Sequence, residues 1–168
     1  MKLIDNHVHL WDKDWFPPGH RMRFAVAAAN RRWPPRDPME ILPRVGQAVY
    51  DPDGAQMIRD MEDLGVDTSI IMAMDWGMLY VNRGEPDSPL PIKEINRHIL
   101  SLREKYPGKV YVFAGVDPRR KEGVEIFETA VKEWGAVGYK RRARGGKSYD
   151  SCMGADGGHA IGGGMCGG

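Results

Sequence analysis

Two histidines near the amino terminus, His7 and His9, have the residue type and spacing that can bind a metal ion. They end the short apolar run 3–10, which predicts a β-strand. Side chains alternate along a strand, so both imidazoles should point to one face, roughly 6–7 Å apart at the backbone. Asp5 should share that face and orient one ring. The alternative is that both are ordinary strand histidines bonded to the backbone, because two ligands alone do not make a metal site.

Composition and charge define the broad class of protein. The chain has 168 residues, of which 42% are hydrophobic and 28% charged, as is typical of a soluble globular domain. Its 24 basic and 23 acidic residues nearly balance, which indicates no overall attraction to nucleic acid or to an anionic membrane. No signal-peptide pattern is found, so we expect a cytoplasmic protein. Cys152 and Cys166 lie in a glycine-rich tail and indicate neither a disulfide framework nor a zinc ribbon.

A long excursion over residues 11–52 follows the first strand. It is rich in proline and tryptophan and shows little sustained periodicity. An excursion of this size after a metal-binding strand is expected to cover the site, with Trp11 as a wall of the substrate pocket. Its basic character would suit a carboxylate-bearing substrate, although each arginine alone can be a solvated surface residue. These arginines are Arg21, Arg23, Arg31, Arg32, Arg36 and Arg44.

Helices and strands then alternate as far as Lys140. Helical spacing of apolar residues predicts helices over 53–64, 92–105 and 124–134, the first with Asp53 as its N-cap. Apolar runs predict strands over 68–74, 110–116 and 136–140. Because each helix is long enough for a right-handed crossover, the pattern predicts an α/β fold with a parallel sheet.

Polar and aromatic residues follow the predicted strands at their carboxyl ends. Asp75 and Trp76 follow the second strand, Asp117 follows the third, and Lys140 ends the fourth. Parallel α/β folds carry their chemistry at this edge. We therefore treat Asp75, Asp117 and Lys140 as weaker candidate site residues and Trp76 as a candidate substrate contact. The alternative for Asp117, which precedes Pro118, is a turn or helix cap.

Four segments in this order resemble a known family. Residues 4–11, 61–67, 113–118 and 134–140 together are similar to the amidohydrolase-related metal-dependent hydrolases, the group that includes aminocarboxymuconate-semialdehyde decarboxylase and dicarboxylate lactonases. The resemblance implies a (β/α)8 TIM-type barrel with a divalent metal, usually Zn2+, bound by His7 and His9.

The resemblance also implies a reaction on a small-molecule substrate. A further histidine and an aspartate from later strands would complete the metal site, and a metal-activated water would hydrolyse the substrate. Non-oxidative decarboxylation is the alternative reaction in the same group. Some members of the wider superfamily carry a carboxylated, metal-bridging lysine where this chain has Lys140.

The pattern of strands and helices stops at Lys140, after four of the eight strands that such a barrel needs. Ten of the last 24 residues are glycine, which predicts a disordered tail over 141–168. We therefore predict the amino-terminal half of a barrel over 1–140, followed by a truncated or frame-shifted tail. Activity should be impaired, because the remaining metal ligands belong to the missing half. The open edges of a half-barrel favour a homo-oligomer.

A binding module is the alternative from a different class. Residues 140–147 include five cations around Gly145-Gly146, which resembles arginine-glycine tails that bind RNA or other polyanions. A single basic run without interleaved aromatic residues is more typical of a solvated segment, so nucleic acid is the less expected partner.

Overall fold

Four parallel strands form one sheet in the computed structural model, which describes residues 2–140. The strands are β1 (Ile4–Val8), β2 (Thr68–Met72), β3 (Val110–Gly115) and β4 (Gly138–Lys140). They pair in chain order, so β1 and β4 are the two edges. The predicted α/β fold with a parallel sheet is confirmed. The predicted disordered tail and its basic run lie outside the described residues.

Helices connect the strands and bury one face of the sheet. They are α1 (Pro18–Asn30), α2 (Pro38–Ile41), α3 (Ala55–Leu64), α4 (Gly77–Val81), α5 (Ile92–Lys105) and α6 (Gly123–Lys132). Ile71 and Val112 of the sheet belong to one buried apolar cluster with Ile99 and Ile126 of the helices. None of the helices described between residues 2 and 140 has the length and apolar content needed to cross a membrane.

The other face of the sheet is open. Ile70, Met72 and Phe113 are only half-buried, and Tyr111 is 51% exposed. These residues alternate with the buried positions of β2 and β3, and they lie in register across the two strands. Parallel sheets are normally covered on both faces. The described residues therefore form a one-sided sheet.

The excursion over residues 11–52 was predicted to show little regular structure, but it contains the 13-residue helix α1. Pro18 starts this helix at a position where proline is favoured, and the alanine-rich stretch 25–29 has high helix propensity. Ala25 and Ala29 are fully buried, whereas Phe24 and Val26 are exposed. Because its buried residues are His20, Ala25 and Ala29, α1 has no stripe of large apolar side chains. Hydrophobic periodicity in the sequence therefore does not indicate this helix.

The start of α3 also differs from the prediction. The N-cap is Gly54, with a left-handed φ of 70°, and the predicted cap Asp53 precedes it by one residue, although its carboxylate accepts from the first helical amide at 3.3 Å. The carboxylate of Asp51 also accepts hydrogen bonds from the first-turn amides of Gln56, at 3.0 Å, and Met57, at 2.8 Å. The sharp turn at the glycine brings this earlier aspartate over the free amides, which is the function of an N-cap side chain.

A buried asparagine fastens α5 to the end of β3. The Asn96 side-chain amide donates to the carbonyls of Ile92 and Gly115, and its oxygen accepts from the Gly115 amide at 2.8 Å. Asn96 has no exposed surface. A Cβ at Gly115 would lie only 1.9 Å from the carbonyl oxygen of Ala73. The close approach of β2 and β3 beside the site thus needs a glycine at position 115, and Asn96 fixes α5 against that glycine.

We expect Asn96→Ala to destabilise the fold by about 2–4 kcal/mol, because it leaves the buried amide and carbonyl of Gly115 without their side-chain partner. Urea unfolding followed by circular dichroism measures the change. Asn82→Ala, at an exposed position after α4, is the matched control and should change stability by less than about 0.5 kcal/mol. Equal effects of the two substitutions would contradict the assigned role.

Candidate functional site

His7 and His9 converge at the carboxyl end of β1. Their Nε2 atoms are 3.0 Å apart, and the ring planes meet edge to face at 83°. Two nitrogens bound to one tetrahedral zinc ion lie about 3.3 Å apart. The two nitrogens share a hydrogen bond, so binding one ion requires loss of the shared proton as well as a shift of a few tenths of an ångström. The convergence expected from strand alternation is present, and the metal role of the two residues stays a prediction.

A backbone carbonyl sets the tautomer of His9. The Nδ1 atom of His9 donates to the Met72 carbonyl oxygen at 2.7 Å, so in the neutral ring the lone pair is on Nε2. Burial lowers the pKa of His9 below its ordinary value, the bond to Met72 opposes this, and the nearby charges of His7 and Lys140 lower the pKa further. The bond to Met72 therefore leaves the Nε2 lone pair of His9 facing His7.

The predicted orienting role of Asp5 is wrong, because β1 contains a bulge. Asp5 pairs with Ser69 and Val8 pairs with Ile71, so three residue steps on β1 match two on β2. Asp5 thus shares the sheet face of Val8, opposite to His7. Its carboxylate accepts a hydrogen bond from the backbone amide of His7 at 3.1 Å. The ring-orienting group in this structure is a β2 carbonyl instead.

The other candidate side chains lie together at the same end of the sheet. Asp75, Asp117 and Lys140 line one small cleft between the ends of β2, β3 and β4. Both carboxylates pair with arginines, Asp75 with Arg120 and Asp117 with Arg119. Within residues 2–140, no group of three or more His, Cys, Asp or Glu side chains is placed to bind a metal. Asp75 and Asp117 are therefore not arranged as further ligands beside the histidines.

Arg120 makes a buried clamp between two loops. It binds Asp75 through two bonds of 2.6 and 2.8 Å and Asp87 through two bonds of 2.7 and 3.0 Å. The side chains of Arg120 and Asp75 are 9% and 4% exposed. Gly77 leaves room for the clamp, because a Cβ there would overlap Asp87. Asp75 also accepts from the Asp117 amide at 2.9 Å, so the clamp joins the loops that follow β2 and β3.

Asp117 forms the turn that the sequence allowed as its alternative role. Its carboxylate accepts from the backbone amide of Arg119 at 2.9 Å and from two nitrogens of the Arg119 guanidinium. These bonds hold the pKa of Asp117 below its ordinary value, against the opposing effect of partial burial. The side chain is therefore an ionised turn residue.

An aromatic pocket of about 230 Å³ opens beside the histidines. Its lining consists of Trp11, Phe16, His20, Arg21, Phe24, Val45, Gly46, Val49, Tyr50 and Trp76. The Trp11 ring lies 5.5 Å from the His9 ring and 5.9 Å from the Trp76 ring. The structure thus brings both predicted substrate contacts, Trp11 and Trp76, to one cavity. The Nε of Arg21 is buried there with no hydrogen-bond partner among residues 2–140.

His20 is a pocket residue that sequence reasoning missed. Its Nδ1 lies 2.7 Å from the hydroxyl oxygen of Tyr80, and its ring stacks on Phe16 and packs against Trp76. The available signal was helical spacing after the paired prolines at 17–18, which places His20 and Phe24 one turn apart on α1. Without a recognised helix, the two rings could not be assigned to the same wall.

Comparisons of the chain with models of known families, with curated proteins and with solved structures gave no match. The resemblance to the amidohydrolase-related hydrolases therefore stays a prediction from the sequence. What the structure adds is a convergent histidine pair beside an aromatic pocket at the carboxyl end of a parallel sheet.

Arg120→Leu should destabilise the fold by about 3–5 kcal/mol, because it leaves the buried carboxylate of Asp75 without its cation. Arg119→Leu is the matched control. Its ion pair is more exposed, and the expected loss is below about 1 kcal/mol. Urea unfolding of both variants at neutral pH measures the difference, and equal losses would show that the clamp is not a stabilising element.

Acid should weaken the same clamp. Burial raises the pKa of Asp87, but bonds from Arg120 and from the Ser88 amide outweigh this and lower it overall. The ionised form thus stabilises the fold above the unfolded pKa of about 4, and this contribution is lost as pH falls through the lower folded value. The free energy of unfolding should fall less steeply between pH 5 and pH 2 in Asp87→Asn. In the Arg120→Leu background the same substitution should change the slope less, because only the Ser88 amide then remains to lower the pKa of Asp87.

Proposed function

We propose that this chain is a metal-dependent hydrolase of the amidohydrolase type, acting on a small carboxylate-bearing molecule. The observation that carries the proposal is the 3.0 Å approach of the His7 and His9 Nε2 atoms, with the His9 tautomer held by a backbone carbonyl. The pair lies at the carboxyl end of a parallel strand, where α/β enzymes place their chemistry. The adjoining aromatic pocket has the size of a small substrate.

The chain's own residues would bind and orient that substrate. Trp11 and Trp76 would pack on its apolar part and exclude water from the side of the histidines. Arg21 lines the pocket, and its positive charge would attract a substrate carboxylate. Lys140 contributes a positive charge near His9. These groups support an anionic substrate next to the metal.

A bound Zn2+ would lower the pKa of a water molecule toward 7 and polarise the substrate carbonyl. Two imidazoles make an incomplete set, because catalytic zinc sites have three protein ligands. We therefore expect weak metal binding and impaired turnover by His7 and His9 alone.

Decarboxylation is the alternative reaction at the same site. The aromatic pocket and Arg21 would hold a carboxylate for loss of CO2 as well as for hydrolysis. Incubating the zinc-loaded chain with aryl esters, lactones and aryl carboxylates separates the two reactions. Acid release from the esters or lactones supports the hydrolase, whereas CO2 release from the carboxylates alone supports the decarboxylase. Turnover that the His7→Ala/His9→Ala variant retains would contradict both.

Zinc uptake tests the metal site directly. We expect the 168-residue chain to bind zinc in equilibrium dialysis and the His7→Ala/His9→Ala variant to lose at least tenfold in affinity, since both nitrogen ligands are removed. His98→Ala is the matched control, because this exposed imidazole bonds to the Pro52 carbonyl, away from the pair. If elemental analysis found equal zinc contents in the double variant and the unaltered chain, the assignment of His7 and His9 as metal ligands would be contradicted.

A further inference from the structure

Residues 31–36, which connect α1 to α2, form an exposed segment that we call the Trp33 tip. Every residue in it is exposed, and the Trp33 side chain is 95% exposed. No other large apolar side chain among residues 2–140 is as open to solvent. Tryptophan is highly buried on average, because its large ring gains much from leaving water. The Trp33 ring is therefore the place on the described surface where a partner would bury most apolar area.

Three arginines flank this indole in the sequence. Arg31, Arg32 and Arg36 are exposed, and none of them makes an ion pair or a side-chain hydrogen bond with any residue between 2 and 140. The tip has no acidic residue, so it is locally basic although the charge of the whole chain nearly balances. Asp37, which follows it, uses its carboxylate to cap α2. The tip thus combines one indole with three available guanidinium groups.

The backbone of the Trp33 tip is fixed before any partner binds. The amides of Arg32 and Arg36 both donate to the Ala29 carbonyl, at 3.2 and 3.4 Å, which folds the segment back on the last turn of α1. Pro34 and Pro35 have restricted φ angles. Few backbone conformations are lost on binding, so the entropic cost of docking this segment is small.

We propose that the Trp33 tip docks on the surface of an anionic lipid bilayer. The indole lies among the lipid headgroups, which is the level that tryptophan prefers at a membrane. Arg31, Arg32 and Arg36 bind the lipid phosphates, because a guanidinium group makes strong charge-assisted hydrogen bonds to phosphate oxygens.

A bilayer fits the shape of the tip better than a nucleic acid does. Proteins that bind single strands place several aromatic rings along a basic groove, so that successive bases stack on them. The Trp33 tip protrudes and has a single aromatic ring. A bilayer interface needs no groove, because one amphipathic side chain can enter between the headgroups.

The Trp33 tip is separate from the candidate metal site. Arg21 of the aromatic pocket lies on α1, and Arg31 is the C-cap of the same helix. At a rise of 1.5 Å per residue, the helix places these two positions about 15 Å apart. Docking at the tip therefore needs neither the pocket nor the histidine pair, and it does not rest on the proposed function.

Cosedimentation with lipid vesicles tests the docking. We expect the chain to pellet with vesicles of equal parts phosphatidylcholine and phosphatidylglycerol, but not with vesicles of phosphatidylcholine alone. Raising the ionic strength to about 1 M should release it, because charges are then screened within roughly 3 Å. Brominated lipids in the mixed vesicles should quench tryptophan emission of the unaltered chain. This quenching should be lost in Trp33→Ala, although the other tryptophans are unchanged.

Substitutions separate the contributions of charge and indole. Arg32→Gln should weaken binding to the mixed vesicles roughly fivefold, as expected for one basic residue at an anionic surface. Trp33→Ala should weaken it further. Arg97→Gln and Leu64→Ala are the matched controls, because both side chains are exposed on other helices, and they should bind like the unaltered chain. Circular dichroism checks that all four variants are folded.

The inference is overturned if the chain pellets equally with neutral and anionic vesicles, or with neither. Full binding by the combined Arg32→Gln/Trp33→Ala variant would also overturn it, because the contact would then lie elsewhere, as on the basic run 140–147. Binding to a single-stranded oligonucleotide but not to vesicles would assign the tip to nucleic acid instead. Zinc uptake is measured separately, and Trp33→Ala should take up zinc like the unaltered chain.

Discussion

The parallel pairing of β1 with β2 is the contact on which the candidate site depends. It places the Met72 carbonyl 2.7 Å from the Nδ1 of His9, although 63 residues separate them in the chain. The same pairing contains the bulge that turns Asp5 away from His7. A shift of one residue in this register would move the imidazoles to the helix-covered face. Their convergence and their tautomer are therefore properties of the sheet rather than of the His-x-His motif alone.

The charged side chains at the carboxyl end of the sheet form two groups. Some make ion pairs that stabilise the fold, and others lie beside the candidate site. The buried guanidinium of Arg120 binds Asp75 and Asp87, and Asp117 bonds to Arg119, so these carboxylates brace loops. Pairing of this kind offsets the cost of burying ionised groups. The described part of the site is left with imidazole nitrogens and positively charged neighbours. This combination suits an anionic substrate next to a metal more than it suits catalysis by paired carboxylates.

The one-sided sheet links the fold to the proposed metal site. Crossovers of a single hand place the helices on one face when strands follow in chain order. The opposite face then needs a cover, and the histidine pair needs further ligands. Both needs arise from the same four-stranded arrangement, and closure of the sheet by four more strands would meet both at once.

Sequence reasoning succeeded where one local pattern decides the structure. Apolar runs and helical spacing predicted all four strands and the helices α3, α5 and α6, because large side chains are buried there. Sequence reasoning failed for α1, whose buried residues are a histidine and two alanines, and for the cap of α3, where a left-handed glycine brings Asp51 over the first turn. In both places the deciding contacts come from residues whose own pattern carries little signal.

For the site, the sequence by itself determined that His7 and His9 lie at the end of one strand and Lys140 at the end of another, and that Trp11 and Trp76 follow strand ends. The tertiary structure decided which of these residues meet. The two tryptophans share one pocket with Arg21 from α1, while Asp75 is paired with Arg120, 45 residues away. The physical reason is that alternation along a strand is a local property of the backbone, whereas ion pairs, pocket walls and strand register depend on segments that only folding brings together.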